Sequence, residues 1–201
     1  MVGSLKEVRL KTPVEDGDLQ GLGLGNVVYL DGVLYTGREG LYKRILDEGK
    51  EPPVDIASVS NANFHCSPAA AVEPDGSFTM GAVTATASFR FSRWLPKWFE
   101  LSRCKLILGK GGMSEEDYKT QFAPNGAIYL TTVGYGTGAL LGRGIKRIQA
   151  AHWLEELGIA QAMWVLEVEK FGPFLVESDL QGNSLFEQSN RETKAKVDAL
   201  Y

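Results

Sequence analysis

Short apolar runs, some alternating with polar residues and some continuous, are separated along the chain by glycine-containing turns. Residues 5–11 alternate with period two, which is typical of a half-exposed strand. Asp31-Gly32 is a typical hairpin dipeptide, so two short strands are predicted around it. Asp75-Gly76 predicts a second hairpin. Further strands are predicted at residues 54–58, 62–66, 77–83, 105–108, 127–133, 162–169 and 174–178.

Helical patterns lie between these strands. Residues 38–48 carry apolar side chains on one face and end at Gly49, a typical helix stop. Residues 84–102 have a helical pattern at both ends, with Pro96 breaking or restarting the helix. Strands and helices are joined by both hairpins and longer crossovers, which favours a compact α/β domain with a mixed sheet. We predict one domain over residues 1–188 and a polar tail, helical or frayed, over residues 189–201.

The composition is that of an ordinary soluble protein and excludes several classes. The net charge of −4 argues against a nucleic-acid-binding surface and makes any positive site a local feature. No stretch approaches the roughly 18 apolar residues of a membrane span. Residues 1–7 lack the apolar run of a signal peptide. Only Cys66 and Cys104 are present, so no disulfide framework is implied and we expect a cytoplasmic protein.

Lys110 is the first candidate for binding an anion. It follows a continuous apolar run and is flanked by Gly109, Gly111 and Gly112, which allow a small anion to approach the backbone. Strand ends of this kind are where α/β sheets bind ligands. The spacing does not fit a Walker phosphate loop. An ordinary turn is an equally good interpretation of these residues.

Two further cations lie near predicted helix starts. Thr84, Thr86 and Ser88 form a hydroxyl-rich cluster that leads into Arg90. If residues 86–90 open a helix, Thr86 and Arg90 share one face, and the free N–H groups there add to an anion site. Arg38 lies at the start of another predicted helix, where a cation opposes the helix dipole and an anionic partner would offset it. The alternative in both cases is a solvated arginine.

Other motifs carry weaker signals. The glycines of residues 21–25 precede a strand, so they predict a turn and no dinucleotide site. His65 and Cys66 are adjacent in a predicted strand and point to opposite faces, which argues against a nucleophilic pair. The two cysteines and the two histidines, His65 and His152, show no metal-ligand spacing.

Taken in order, several segments resemble those of class I fumarases and L(+)-tartrate dehydratase β subunits. Residues 107–113 resemble the lysine-bearing signature of that family, residues 86–90 its substrate loop, and residues 65–68 its "H-x-G-P" turn. The segments 25–38, 152–158, 168–174 and 182–185 match as well. The resemblance covers roughly residues 5–188.

This resemblance implies a swivelling β/β/α domain that forms the β subunit of a two-subunit hydro-lyase acting on fumarate and malate or on L-tartrate and oxaloacetate. It implies that Arg38, Arg90 and Lys110 hold the dicarboxylate and that Thr86 and Lys110 take part in catalysis, with Thr86 as the base. An α subunit, in an α2β2 assembly, is implied to supply three cysteines for a [4Fe–4S] cluster. No metal ligand is implied in this chain, whose two cysteines cannot build such a cluster alone. The β chain alone is expected to be inactive.

Departures from the family pattern keep other functions open. Ala87 stands where a second threonine is usual, and Ser67 where glycine is usual. The altered loops at residues 82–92 and 134–138 allow a non-catalytic dicarboxylate-binding or regulatory module as the alternative. A cofactor-free enzyme that uses His65 or Cys66 is a third possibility.

A lone β chain is also expected to expose an apolar interface patch. Trp94 and Trp98 are predicted to lie in that patch.

Overall fold

Nine strands arranged in two sheets dominate the computed structural model, which describes residues 6–200. Seven strands build one mixed sheet, and two form an antiparallel hairpin. The strands are β1 (Glu7–Thr12), β2 (Val27–Thr36), β3 (Ala62–Phe64), β4 (Cys66–Val72), β5 (Phe78–Ala85), β6 (Leu106–Gly109), β7 (Ile128–Thr132), β8 (Ile145–His152) and β9 (Met163–Val176). Leu5, with which the first predicted strand begins, lies outside the described residues.

The mixed sheet closes on itself. Strands β2, β3, β6 and β7 run parallel in that order. Strand β9 is antiparallel to both β7 and β2, so these five strands form a closed barrel. Strands β1 and β8 extend the sheet outside it. The predicted α/β class and mixed sheet are confirmed, and the four parallel strands end together at what we call the carboxyl end of the barrel.

Short helices and helical turns surround the barrel. They are α1 (Glu39–Tyr42) with the π turn Lys43–Asp47, α2 (Ile56–Val59), the 3-10 helix Phe89–Trp94 leading into α3 (Leu95–Ser102), α4 (Glu115–Asp117) with the π turn Tyr118–Phe122 and the 3-10 turn Ala123–Asn125, the 3-10 turn Tyr135–Thr137 leading into α5 (Gly138–Arg143), α6 (Leu154–Leu157), and α7 (Leu185–Asp198). Within residues 6–200, none of the helices has the length and apolarity needed to cross a membrane.

Strands β6 and β7 are apolar on both faces because both faces are covered. Leu108 and Leu130 point into the barrel core. Ile107 and Tyr129 belong to an outer cluster that also contains residues of α3 and of the π turn after α4. A continuous apolar run is typical of such doubly buried parallel strands, which explains why the prediction of β6 from its sequence was confirmed.

A second outer cluster lies under α1 and α3 and is rich in aromatic rings. Tyr42 stacks on Trp94 with ring centroids 5.7 Å apart and meets Trp98 edge-on at 4.5 Å. Both tryptophans are buried, so the prediction that they lie in an exposed interface patch is wrong. Large apolar side chains that are exposed include Phe89, Val133, Leu140 and Phe186.

The predicted hairpin at Asp31-Gly32 is also wrong, because β2 runs straight through it. Gly32 has φ +101° and pairs with Thr12, and a Cβ at Gly32 would lie 2.1 Å from the Thr12 carbonyl oxygen. The pairing with β9 shifts register between Leu30 and Gly32. Gly32 therefore marks an irregularity inside a strand, a second common use of glycine in sheets.

Three other predictions need correction. Residues 54–58 were predicted as a strand, but helix α2 begins at Ile56. The two late strands are one continuous strand, β9, and β8 was not predicted at all. The hairpin at Asp75-Gly76 is confirmed, since it joins β4 to β5.

Candidate functional site

The carboxyl end of the barrel brings together the segments that carry the predicted site residues. Arg38 follows β2, His65 follows β3, and Lys110 follows β6. The β4–β5 hairpin begins at the same end and returns the chain to Thr86. The predicted residues, separated by up to 72 positions in the sequence (38 to 110), thus lie on neighbouring segments because parallel strands end on one side.

Backbone hydrogen bonds fix Thr86 between two of these strand ends. The Thr86 N–H donates to the His65 carbonyl at 2.7 Å, and the Lys110 N–H donates to the Thr86 carbonyl at 3.1 Å. Ala87 and Lys110 form a parallel bridge at this point. The Thr86 side chain is nearly buried, while that of Lys110 is partly exposed. The backbone of Thr86 is therefore held in place before any ligand arrives.

Arg38 lies at the N-cap of α1, as predicted, and its guanidinium reaches the base of the hairpin. Its Nη1 donates to the Ser67 hydroxyl and, at 3.1 Å, to the Ala160 carbonyl. Ser67 is paired with Thr84, two residues before Thr86. The Arg38 Nε is buried without a hydrogen-bond partner among residues 6–200. An unpaired buried donor costs about 1–3 kcal/mol, which a bound anion would offset.

Positive charges accumulate here. Burial is the main cause that lowers the pKa of Arg38; the nearby charge of Arg90 acts in the same direction, whereas Cys66 and Glu39 oppose it. Arg90 is exposed, and its Cζ lies 5.5 Å from the centroid of the Phe91 ring. Since arginine stays protonated at neutral pH, two guanidinium charges face the same region.

Residues 86–90 do not open a helix, contrary to the prediction. Thr86 is held as extended backbone by the two bonds described above, and the 3-10 helix begins only at Phe89. Thr86 and Arg90 are therefore not on one helical face. The expected helix N-terminus does not contribute N–H groups around Thr86, so the positive charge comes from side chains.

Beneath this loop lies a series of fully buried polar side chains, which we call the buried polar chain. The Asn63 amide donates to the Tyr42 hydroxyl at 2.6 Å, and that hydroxyl lies 2.6 Å from His65 Nε2. His65 Nδ1 lies 2.7 Å from the Ser88 hydroxyl. The Ser88 hydroxyl in turn lies 2.7 Å from that of Tyr129. The chain consists of Asn63, Tyr42, His65, Ser88 and Tyr129, all of them fully buried.

Two glycines make room for the ends of the buried polar chain. A Cβ at Gly37 would lie 2.6 Å from the Asn63 side-chain oxygen. A Cβ at Gly109 would lie 2.1 Å from the Ser88 hydroxyl and 2.4 Å from that of Tyr129. These are the residues that directly precede Arg38 and Lys110. The backbone directly before Arg38 and directly before Lys110 therefore packs too closely on these side chains to accept a Cβ.

Burial controls the protonation of this region. Burial, with a contribution from the charge of Arg38, lowers the pKa of His65 to about 3, so the imidazole is neutral at neutral pH. Burial also raises the pKa of the Cys66 thiol, and Arg38 only partly opposes that effect. A reactive cysteine needs its thiolate, so this environment argues against the third hypothesis of a nucleophilic Cys66.

Two cavities flank Lys110. One of about 230 Å³ is also lined by Gly111, Thr131, Thr132, Val133, Gly134 and Phe186. A smaller one of about 30 Å³ lies towards the base of the hairpin, beside Thr84 and Ala85. A larger cavity of about 380 Å³ lies between β5 and β8 and contains none of the predicted site residues. Lys110 is therefore the predicted site residue that lines the two smaller cavities, and the larger cavity lies away from it.

The metal-ligating side chains of this chain do not fit an iron–sulfur cluster. Among residues 6–200, no group of three or more histidine, cysteine or acidic side chains is close enough to hold a metal ion. Cys66 and Cys104 are both buried and belong to different apolar clusters. A cluster held by thiolates needs several converging cysteines, so we derive no step through a cluster bound to this chain.

Sequence reasoning missed the roles of Tyr42 and Tyr129. Tyr42 lies within the predicted helix 38–48 and Tyr129 within the predicted strand 127–133, and neither was singled out. The sequence offers no spacing that links them to His65, since they are 23 and 64 residues away from it (65 − 42 and 129 − 65). Only the barrel, which places β7 beside β6 and α1 after β2, brings the two phenols to the same loop.

Comparison with known proteins identifies relatives that match almost the whole chain. The chain is 33% identical to a Methanocaldococcus jannaschii protein provisionally named L(+)-tartrate dehydratase subunit beta, over 91% of this chain and 93% of the relative. It is 31% identical to the L(+)-tartrate dehydratase subunit beta of Escherichia coli K12, over 90% and 88%. A Geobacillus stearothermophilus protein provisionally named fumarate hydratase class I is 28% identical over 94% of this chain and 35% of its own length.

The match to a family profile extends over nearly the whole chain. Residues 2–189 match the profile described as Fumarase C-terminus. The motifs around Arg38, Thr86, Arg90 and Lys110, from which the resemblance was inferred, all fall within this range. The chain is therefore a member of the fumarase C-terminus family, as its sequence motifs predicted.

Proposed function

We propose that this chain is the β subunit of a two-subunit hydro-lyase that adds water to, or removes it from, a small dicarboxylate. Fumarate with malate and L-tartrate with oxaloacetate are the candidate substrate pairs. The observations that support the proposal are the backbone contacts that join the Thr86 segment to Lys110 and the effect of the Arg90 charge on Arg38 at the same end of the barrel. The names of its relatives support the same reaction class.

The proposed role of the three cations is to bind the two carboxylates of the substrate. A guanidinium fits a carboxylate with two parallel hydrogen bonds, and an ammonium acts as a point charge. Arg38 brings a buried N–H that has no partner among the described residues. In a protein with net charge −4, this cluster is a local positive region that would stabilise negative charge building on a carboxylate during proton removal.

The proposed role of Thr86 is to take the proton from the carbon adjacent to the one that bears the departing hydroxyl, so that the double bond forms between these two carbons. Its backbone is fixed on both sides by His65 and Lys110, and its side chain is nearly buried. Nearby positive charge favours the ionised form of a hydroxyl. A fixed base close to its operating position is what general base catalysis requires.

The [4Fe–4S] cluster implied by the family resemblance is proposed to be held by an α subunit, in an α2β2 assembly. When bound there, iron would supply Lewis-acid chemistry at the departing hydroxyl. The present chain contributes substrate binding and proton transfer, so we propose that it is inactive alone.

Anaerobic co-purification with an α-type partner tests the proposal. The purified complex is assayed for water addition and removal on fumarate, malate, L-tartrate and mesaconate. We expect turnover that is lost when either chain is omitted. A stable complex without activity on any of these diacids, or no association at all, would contradict the proposal and favour a dicarboxylate-binding or regulatory module.

A further inference from the structure

The buried polar chain connects the three segments that carry the site cations. At one end, Asn63 packs against Gly37, the neighbour of Arg38. In the middle, Ser88 belongs to the loop between Thr86 and Arg90. At the other end, the Tyr129 hydroxyl lies 3.4 Å from the Lys110 carbonyl.

His65 is the central member, and its two ring nitrogens face different neighbours. Nε2 faces Tyr42 in α1, and Nδ1 faces Ser88 in the loop. The ring is enclosed edge-on by Tyr42 and Phe91, with centroids 5.8 Å and 4.8 Å away. Apolar surroundings and the positive charge of Arg38 both disfavour an imidazolium.

The orientation of the Asn63 amide selects between the two tautomers of His65, because its nitrogen faces the Tyr42 hydroxyl while its oxygen has no hydrogen-bond partner among residues 6–200. The Tyr42 hydroxyl accepts a hydrogen from Asn63, so its own hydrogen is left for His65 Nε2. Nε2 is then an acceptor, and a neutral imidazole must carry its hydrogen on Nδ1. Nδ1–H points at the Ser88 hydroxyl, 2.7 Å away. The direction of the bond to Ser88 is therefore set by Asn63 and Tyr42.

We propose that His65 is a positioning residue: as the neutral Nδ1–H tautomer it holds Ser88, and through Ser88 it keeps the loop from Thr86 to Arg90 in register with Lys110. The reason for this positioning, which is to present Thr86 and Arg90 to a dicarboxylate, rests on the proposed function. The backbone carbonyl of His65 holds the same loop by accepting from the Thr86 N–H. Main chain and side chain of one residue thus fix both Thr86 and Ser88.

Two pairs of substitutions separate the two sides of the ring. The side-chain amide of Asn in His65→Asn takes the place of Nδ1 and keeps a donor to Ser88, whereas Gln in His65→Gln takes the place of Nε2 and keeps the contact with Tyr42. Ser88→Ala and Tyr42→Phe break the same two contacts with little change in volume. If a His65 variant does not fold, Ser88→Ala and Tyr42→Phe still allow the loss of the Ser88 contact to be compared with the loss of the Tyr42 contact.

The test measures three properties of the full chain. Nitrogen-15 NMR of His65 reports the tautomer, hydrogen exchange reports the protection of the amides of Thr86 and Lys110, and titration with succinate reports dicarboxylate affinity. We expect the Nδ1–H tautomer throughout the neutral range. We also expect His65→Gln and Ser88→Ala to lose protection and about tenfold in succinate affinity, the equivalent of one hydrogen bond. His65→Asn should stay within about threefold of wild type, since the donor to Ser88 remains. Tyr42→Phe keeps the imidazole but no longer fixes its tautomer, so its loss should fall between those of His65→Asn and Ser88→Ala.

Melting temperatures distinguish positioning from a general structural role. His65→Asn and His65→Gln each lose one buried hydrogen bond, whereas Tyr42→Phe and Ser88→Ala each lose two. The two members of each pair should therefore be destabilised to a similar degree. The proposal would be overturned if succinate affinity and amide protection followed the melting temperature and did not depend on whether the contact with Ser88 or the contact with Tyr42 was lost. An Nε2–H tautomer would overturn it as well. Failure of the wild-type chain to bind succinate would count against the proposed function, while the tautomer and exchange data would still decide the role of His65.

Discussion

Two groups of cations on the same barrel have opposite surroundings. On the outer strands, Lys146 lies 2.8 Å from Glu169 and Arg147 lies 3.1 Å from Glu167. At the carboxyl end, Arg38 donates to a hydroxyl and a carbonyl, and Arg90 lies beside an aromatic ring. Among the residues that the structure describes, no carboxylate pairs with either arginine.

The difference shows how location determines the use of a positive charge. An exposed pair such as Arg147 with Glu167 is compensated already and contributes little to stability. The charge on Arg38 is half-buried and lacks a carboxylate partner among the described residues. Its hydrogen bonds to Ser67 and Ala160 offset only part of the desolvation cost, and an anionic ligand would offset more of it.

The largest expected effect comes from the hydroxyl of Thr86, the proposed base. In the complex with an α-type partner, Thr86→Ala should lower kcat by about 10²- to 10⁴-fold, because a general base is removed. Thr79→Ala is the matched control, since Thr79 is exposed on the hairpin and bonds to Glu73. Equal rates for Thr86→Ala and Thr79→Ala would show that Thr86 does not act in proton transfer.

The close packing beside Lys110 predicts the next effect. Gly109→Ala should lower the free energy of unfolding by about 3 kcal/mol, because the new Cβ overlaps the Ser88 and Tyr129 hydroxyls. Gly17→Ala, which meets no atom within 4 Å, should change that energy by less than about 0.5 kcal/mol. Urea unfolding of both variants measures the difference, and comparable values would mean that the barrel end accommodates a larger residue.

The neutral burial of His65 predicts a pH dependence of stability. The pKa of His65 is lowered from about 6.5 to about 3 in the folded chain. Between about pH 6.5 and pH 3 the imidazole is therefore protonated in the unfolded chain and neutral in the folded chain. Stability therefore falls as the pH falls through this window, with a slope approaching about 1.4 kcal/mol per pH unit.

Replacing the imidazole tests that slope. His65→Asn should flatten the dependence of unfolding free energy on pH between about pH 6 and pH 4. His152→Gln is the control, because His152 is only partly buried and the lowering of its pKa has burial alone as its cause. An unchanged slope in His65→Asn would mean that other groups dominate acid unfolding.

The smallest effect is expected on the outer strands. Arg147→Ala should lower the free energy of unfolding by less than about 1 kcal/mol, since both partners are exposed. The loss should shrink further at high salt, which screens such pairs. A larger or salt-independent loss, measured by urea unfolding at two ionic strengths, would remove the contrast between the two groups of cations.

Local patterns predicted the elements whose structure depends on local chemistry. The apolar run before Lys110 predicted β6, and Asp75-Gly76 predicted the hairpin that it forms. Asp31-Gly32 failed because the same dipeptide lies in mid-strand, where the Asp31 carboxylate accepts from Arg9 and from the Lys170 N–H. Those partners are distant in sequence, and no local pattern indicates them.

The sequence predicted which residues belong to the candidate site, but it did not predict the backbone structure that holds them. Motifs indicated Arg38, Thr86, Arg90 and Lys110, but the helical setting assigned to Thr86 and Arg90 was wrong. The extended backbone at Thr86 depends on bonds to His65 and Lys110, which exist only after the parallel strands align. Closure of the barrel by β9 is likewise a long-range event that periodicity does not reveal.

The most direct measurement compares Arg90→Ala with Arg147→Ala in the complex with an α-type partner. Both variants remove an exposed arginine from the same chain, one from the candidate site and one from the outer strands. We predict that Arg90→Ala lowers kcat/KM for the dicarboxylate by about 10²- to 10³-fold, the usual effect of losing one charge-stabilising group, and that Arg147→Ala leaves it unchanged. Equal kcat/KM values for the two variants would contradict the assignment of the active site to the carboxyl end of the barrel.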